Sequence, residues 1–221
     1  MLTLSFVTGT EPGKWFERFR ERTSHGELRT LDSEDPLTEL VDARASLALL
    51  RLPDARLAAD NDAFHVVTLY EESPGIALPK DSELTLLDTV TPEDIAGEIL
   101  NYSGAEVAKV REGLQVVAAN VGVLIAPRPL IKVLSRKQIE HRDYLADDVP
   151  PTSIALVWRK DDDNEAIQDF VGIAKGRTAN SSRQATPKRS AREKTLAKQQ
   201  RRGQVPAKKK APTRGGRRGR R

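Results

Sequence analysis

Two stretches of this 221-residue chain carry residues whose types and spacing could do chemistry, and they lie near opposite ends. Near the start, Gly9-Thr10-Glu11-Pro12-Gly13-Lys14 sets glycines and a lysine where a backbone nest at a helix N-terminus would hold phosphate oxygens. The run is one residue short of G-x-x-x-x-G-K, and Trp15 stands where a Ser or Thr would hold Mg²⁺. Glu11 would also repel a phosphate, so nucleotide binding is not expected. At the other end, residues 175–221 hold 18 of the 36 Lys and Arg and a single acid, Glu193. That segment carries +17, which leaves −13 on the preceding 174 residues of a chain whose net charge is only +4.

The basic clusters are Lys188-Arg189, Arg201-Arg202, Lys208-Lys209-Lys210 and Arg214-Gly215-Gly216-Arg217-Arg218-Gly219-Arg220-Arg221. Such a segment repels itself and has too little apolar surface to fold alone, so a disordered Lys/Arg-rich tail is expected over 176–221. It contains no Phe, Tyr or Trp to stack on bases. Its contacts should therefore be to the phosphates of DNA or RNA, dependent on salt and tolerant of sequence. The Arg/Gly pattern is like that of RNA-binding segments and lacks the R-G-R-P core of a minor-groove reader. The alternative use of such charge is to fold back on the acidic body; attachment to an anionic membrane is not expected, because no amphipathic face accompanies the charge.

Little other chemistry is on offer. The chain has no cysteine, which removes disulfides, thiolate metal sites and Cys nucleophiles. His25, His65 and His141 stand far apart with no metal-ligand spacing, and no G-x-S-x-G elbow exists. The acid pairs Glu71-Glu72 and Asp147-Asp148 read as solvated faces rather than acid–base pairs. No enzyme, metal or cofactor is expected. No apolar run approaches a membrane span, and Met1 leads into Leu2-Thr3-Leu4-Ser5-Phe6-Val7 without a basic leader, so a cytoplasmic protein is expected.

The elements that would position these residues follow from periodicity. Residues 3–8 alternate as a strand, a Gly-rich turn follows, and Trp15, Phe16 and Phe19 take helical spacing. A second unit has a strand at 28–31, Pro36 at the first helical position, and Leu37, Leu40 and Val41 on one face. The apolar run 46–52 suits a strand buried on both faces of a parallel sheet. Residues 64–70 and 74–79 read as extended, and Thr91-Pro92-Glu93-Asp94 has the spacing of a capping box that should start a short helix. A helix at 110–119, a turn at Gly122, a strand at 121–126, a short helix at 128–134 and a strand at 154–158 follow. Asp161-Asp162-Asp163 should sit at the N-terminus of a last helix that lines up Ile167, Phe170, Val171 and Ala174. Alternating strands and helices make the class α/β, with one folded body ending near residue 175.

The order of these pieces resembles the effector-binding domain of LysR-type transcriptional regulators, a bilobal fold like that of type II periplasmic binding proteins. The resemblance rests on Leu2 to Thr8 with Gly9-Thr10, on Leu37-Thr38-Glu39-Leu40-Val41-Asp42-Ala43-Arg44-Ala45-Ser46-Leu47-Ala48-Leu49-Leu50, on Val67-Thr68-Leu69-Tyr70-Glu71-Glu72 and on Pro79-Lys80-Asp81-Ser82-Glu83-Leu84. It extends to Val117-Ala118-Ala119-Asn120-Val121-Gly122-Val123-Leu124-Ile125-Ala126-Pro127 and Ile154-Ala155-Leu156-Val157-Trp158-Arg159-Lys160-Asp161. It implies a domain over 1–175, with lobe I at about 1–69 and 155–175 and lobe II at about 75–150. Family members begin with a winged helix-turn-helix, whereas here Met1 sits directly on the first strand, so a stand-alone form without that DNA reader is expected. Only 30 residues separate Thr91 from Gly122, where the family has a further β-α-β unit, so a reduced second lobe is expected.

The resemblance also implies a ligand site in the cleft between lobes, and a homodimer with domains side by side. Thr8, Gly9 and Thr10 would offer N–H groups and hydroxyls to a small carboxylate, with Tyr70 at the crossover between lobes and Ser103 facing from lobe II. The expected function is a carboxylate-sensing regulatory module that meets nucleic acid through its tail. The alternative is an adaptor without ligand, associated with nucleic acid or the ribosome.

Overall fold

The computed structural model describes residues 1–59 and 62–177. The chain opens with β1 (Leu2–Val7), which buries Leu2, Leu4, Ser5 and Val7, and turns into α1 (Gly13–Arg22). The helical spacing of Phe16 and Phe19 brings both rings against Phe170, with centroids 6.2 and 5.6 Å apart. Next come β2 (Leu28–Ser33) and α2 (Pro36–Val41), where the Asp35 carboxylate accepts the Thr38 N–H and Pro36 opens the helix. Then follow β3 (Leu47–Leu52), α3 (Ala55–Ala59) and β4 (Phe64–Glu72).

Ser73 alone separates β4 from β5 (Pro74–Pro79), the first strand of a second sheet. This half continues with β6 (Thr89–Val90), β7 (Leu100–Ser103), α4 (Val107–Ala118), β8 (Val123–Pro127), α5 (Arg128–Leu134) and β9 (Ile139–Tyr144). The chain then returns to the first sheet through β10 (Thr152–Arg159) and closes with α6 (Glu165–Ala174). The sheets have the orders β2-β1-β3-β10-β4 and β6-β9-β5-β8-β7. In the first, β1 pairs in parallel with β2 and β3, while β10 is antiparallel to both β3 and β4 because it re-enters from the other lobe. The fold is therefore α/β and bilobal, as expected, with a mixed sheet in place of a purely parallel one.

Three local expectations need correction. Residues 91–98 form successive turns and no helix: Asp94 accepts from the Thr91 N–H and hydroxyl, both at 2.8 Å, so the hydroxyl is a donor and caps nothing. Only Ile95 there packs on the core, too little apolar face to hold a helix down. The last helix is capped by Asn164, whose side chain accepts from Ala166 and Ile167, while residues 160–162 form a separate 3₁₀ turn. β6, β7, β9 and the short α3 were not foreseen. The second sheet keeps five strands, and its economy lies in the two-residue β6 and the four-residue β7.

The core is continuous between lobes. Leu4, Phe16 and Leu49 of the first half belong to the same buried apolar cluster as Val110, Leu114, Leu124 and Leu130 of the second. The described body ends on Arg177, whose N–H donates to the Gly172 carbonyl at 2.8 Å and whose guanidinium reaches Asp169.

Candidate functional site

The loop after β1 is held in place by its own polar groups. The Thr10 hydroxyl is buried and donates to the Val7 carbonyl at 2.7 Å, and the Thr8 hydroxyl donates to Asp32 Oδ1 at 2.9 Å. Gly9 sits at φ +93°, and a Cβ there would stand 2.9 Å from Arg51 Nη2 and 3.1 Å from the Leu130 Cα. Only glycine allows this backbone to lie against lobe II and over the guanidinium.

Arg51 is the side chain beneath that loop. It projects from β3, only 6% exposed, onto the 1%-exposed Glu72 carboxylate at the end of β4. Arg51 Nε donates to Glu72 Oε2 at 2.6 Å, Nη2 to Oε1 at 3.3 Å, and Nη1 to the Thr8 carbonyl at 3.1 Å. The Thr152 hydroxyl, at the first residue of β10, donates to Glu72 Oε2 at 3.2 Å. The cation nearest the β1 loop thus already holds a carboxylate from the chain itself. The pair also ties β3 to the strand ends through which the chain leaves and re-enters lobe I. Both charges are desolvated, and this two-toothed geometry with its additional hydrogen bonds is what offsets that cost.

Cavities lie along the seam between lobes, and two of them share no lining residue. One, of about 590 Å³, is bordered by Asp35, Arg51, Pro53 and Arg56 of lobe I and by residues 105–108 before and at the start of α4. Its exposed Arg56 bridges Asp35 and Asp54 at 2.7–2.9 Å, which holds the Asp35 carboxyl down to about 2 and lowers that of Asp54. The other, of about 550 Å³, lies between Gly9, Glu11, Tyr70 and Glu71 on one side and Arg128, Lys132, Val133 and His141 on the other. Arg128 pairs with Asp143. Burial, then the nearby Arg128 charge, lowers the His141 pKa, so its ring is neutral at pH 7; its Nδ1 is buried without a partner. A smaller cavity of about 330 Å³ is lined by Ser103, Gly104, Pro127 and Thr152.

The structure brings Gly9 and Tyr70 to one cavity, uses Thr8 and Thr10 to shape the loop beside it, and places Ser103 at another. The twelve tail positions Lys188 through Arg221 that were singled out lie outside the described residues. Sequence reasoning missed Arg51, Glu72, Arg128, Lys132 and His141. Glu72 is not part of a solvated acid pair; it is buried beside exposed Glu71, as strand alternation demands. Arg51 had a signal, one charge inside Leu49-Leu50-Arg51-Leu52, which called for a buried partner. Among the described residues no group of three or more His, Asp or Glu could hold a metal ion, and no helix is long and apolar enough to cross a membrane.

No family model and no curated relative matches the chain. Solved structures do. The effector-binding domain of a BenM variant superposes with a TM-score of 0.60 at 12% identity, over 78% of this chain and 92% of that one. A mutant OxyR regulatory domain from Pseudomonas aeruginosa gives 0.58 at 15% identity, over 82% and 98%. A mutant OxyR from Corynebacterium glutamicum gives 0.57 at 16% identity over 79% of this chain, which spans 63% of that longer protein. The chain has the fold of the effector-binding domains of LysR-type regulators, as its sequence resemblance implied.

Proposed function

We propose that the chain is a small-molecule-sensing regulatory module: the seam between lobes takes a small carboxylate, and the basic arm keeps the module on nucleic acid. One observation carries the ligand reading. The cavity of about 550 Å³ meets the β1 loop at Gly9 and β4 at Tyr70 and is walled on its far side by Arg128, Lys132 and the neutral His141. A bound carboxylate would accept from the Arg128 guanidinium and the Lys132 ammonium, and bridging the lobes would bias their relative position. Thr8 and Thr10 serve that site by fixing the loop. The arm supplies affinity without base readout, since its clusters are Lys, Arg and Gly.

A second reading is favoured by a different observation. The Arg51–Glu72 pair and the Gly9–Leu130 approach hold the β1 loop, its underlying cation and lobe II together with no ligand. This suits an adaptor whose lobes do not move. The two readings part on one set of measurements. Succinate and benzoate should raise the melting temperature of the full chain, and Lys132→Met should remove the rise; no shift from either acid favours the adaptor. For the arm, the full chain should bind a random-sequence DNA duplex at low salt with an affinity that falls linearly in log–log against salt. A chain ending at Arg177 should lose that binding, and equal affinity would end the arm's role.

A further inference from the structure

The two walls of the 550 Å³ cavity carry opposite net charge, and three of their charged side chains, Glu11, Glu71 and Lys132, are in no ion pair among the described residues. On the lobe I side stand Glu11, before α1, and Glu71, in β4; neither has an ion-pair partner among the described residues. On the lobe II side stand Lys132, also unpaired among the described residues, and Arg128, which gives one N–H to Asp143 of the same wall and has no other side-chain partner among the described residues. Glu72, the third acid on the lobe I side, is saturated by Arg51 and Thr152 and takes no part.

A ligand with only a carboxylate would satisfy Lys132 and Arg128 and stand against two bare carboxylates across the cavity. A ligand with only an amine would satisfy Glu11 and Glu71 and leave Lys132 unanswered. We infer that the cavity selects a zwitterion, a molecule carrying both a carboxylate and an ammonium, of which free α-amino acids are the simplest class. The carboxylate lies on Lys132 and Arg128, and the ammonium lies between Glu11 and Glu71. The volume exceeds what the charged groups need, and the remaining wall is the Tyr70 ring with Pro129 and Val133. Tyr70 is backed by Trp15 at 6.5 Å between centroids. That wall fits an aliphatic or aromatic side chain rather than a second charge.

This inference rests on the reading that the cavity takes a carboxylate, and the test separates the two. Leucine and phenylalanine, their N-acetyl derivatives and their amides are titrated into the full-length protein by calorimetry. The inference expects the free amino acids to bind at least tenfold more tightly than either derivative. Glu11→Gln/Glu71→Gln should erase the advantage over the N-acetyl form while the melting temperature stays that of the parent. Lys132→Met should weaken the free amino acids and N-acetyl forms alike. If the N-acetyl forms bind as well as the parents, the zwitterion inference is wrong and the carboxylate reading survives. If none of these binds, the zwitterion inference is wrong, and the carboxylate reading falls with it when succinate and benzoate give no melting shift either.

Discussion

A single charged pair decides more about this protein than any loop motif. Arg51 and Glu72 are both almost wholly buried, and each satisfies the other with two hydrogen bonds. Removing one partner strands the other charge away from water, so Glu72→Ala should cost about 3–5 kcal/mol in urea unfolding. Replacing both by apolar residues, Arg51→Met with Glu72→Leu, should recover most of that loss and leave the protein within about 1–2 kcal/mol of the parent. Equal losses for the single and double variants would show that the pair does not act as a unit. The sequence displayed both residues but hid the pairing. Arg51 stands in an apolar run and Glu72 in what reads as a surface acid pair, and 21 positions separate them. Gly9 was legible as a turn residue, but its closeness to Leu130 was not, since that contact joins segments more than a hundred residues apart.

At the scale of elements, strong local signals were read correctly and weak ones were not. The helix at Arg128–Leu134 and the strand pair around Ser73 match their expected positions because proline, apolar periodicity and turn residues agree there. β9 escaped because Ile139-Glu140-His141-Arg142-Asp143-Tyr144 buries only its two ends, so neither alternation nor an apolar run marks it. It is a strand because β5 pairs along it from Gly75 to Pro79. The last helix shows which of several candidate caps won. Asn164 accepts from two backbone N–H groups, while Asp161 and Asp162 lie in the 3₁₀ turn and Asp163, just after it, takes the Trp158 indole N–H at 3.1 Å. Asn164→Ala should therefore cost about 1 kcal/mol by denaturant unfolding, whereas Asp161→Ala should change stability by less than about 0.5 kcal/mol. The reverse ranking would place the cap on the acids.

For the whole molecule, the apolar cluster shared by the two lobes couples them, because Leu130 of α5 and Val110 of α4 are buried in the same cluster as Leu4 and Leu49. Opening the seam would expose part of that cluster to water, which resists wide separation of the lobes. The same body has a defined response to acid. The His141 pKa is lowered by burial, so folding favours its neutral form; that contribution is present above the ordinary value of about 6.5 and fades as pH falls through the lowered value. Asp35, held near 2 by Arg56, contributes above its ordinary 3.8 and fades as pH drops toward 2. Urea midpoints should therefore decline in two windows, one just below pH 6.5 and one below about pH 4, and His141→Gln should remove the first alone. A midpoint that is flat from pH 7 to 5 would mean that the ring carries no such penalty.

The sequence by itself determined the α/β class, the bilobal resemblance, most element positions and the division of charge between an acidic body and a basic arm. These depend on composition and on periods of two to four residues, which a linear reading contains. Only the tertiary structure decided that a buried carboxylate of the chain already holds the cation beneath the β1 loop. It also decided that cavities lie along the seam and that one of them faces Glu11 and Glu71 toward Lys132. Those facts arise from contacts between segments distant in the chain, and local patterning does not specify which side chains a folded sheet will bring face to face.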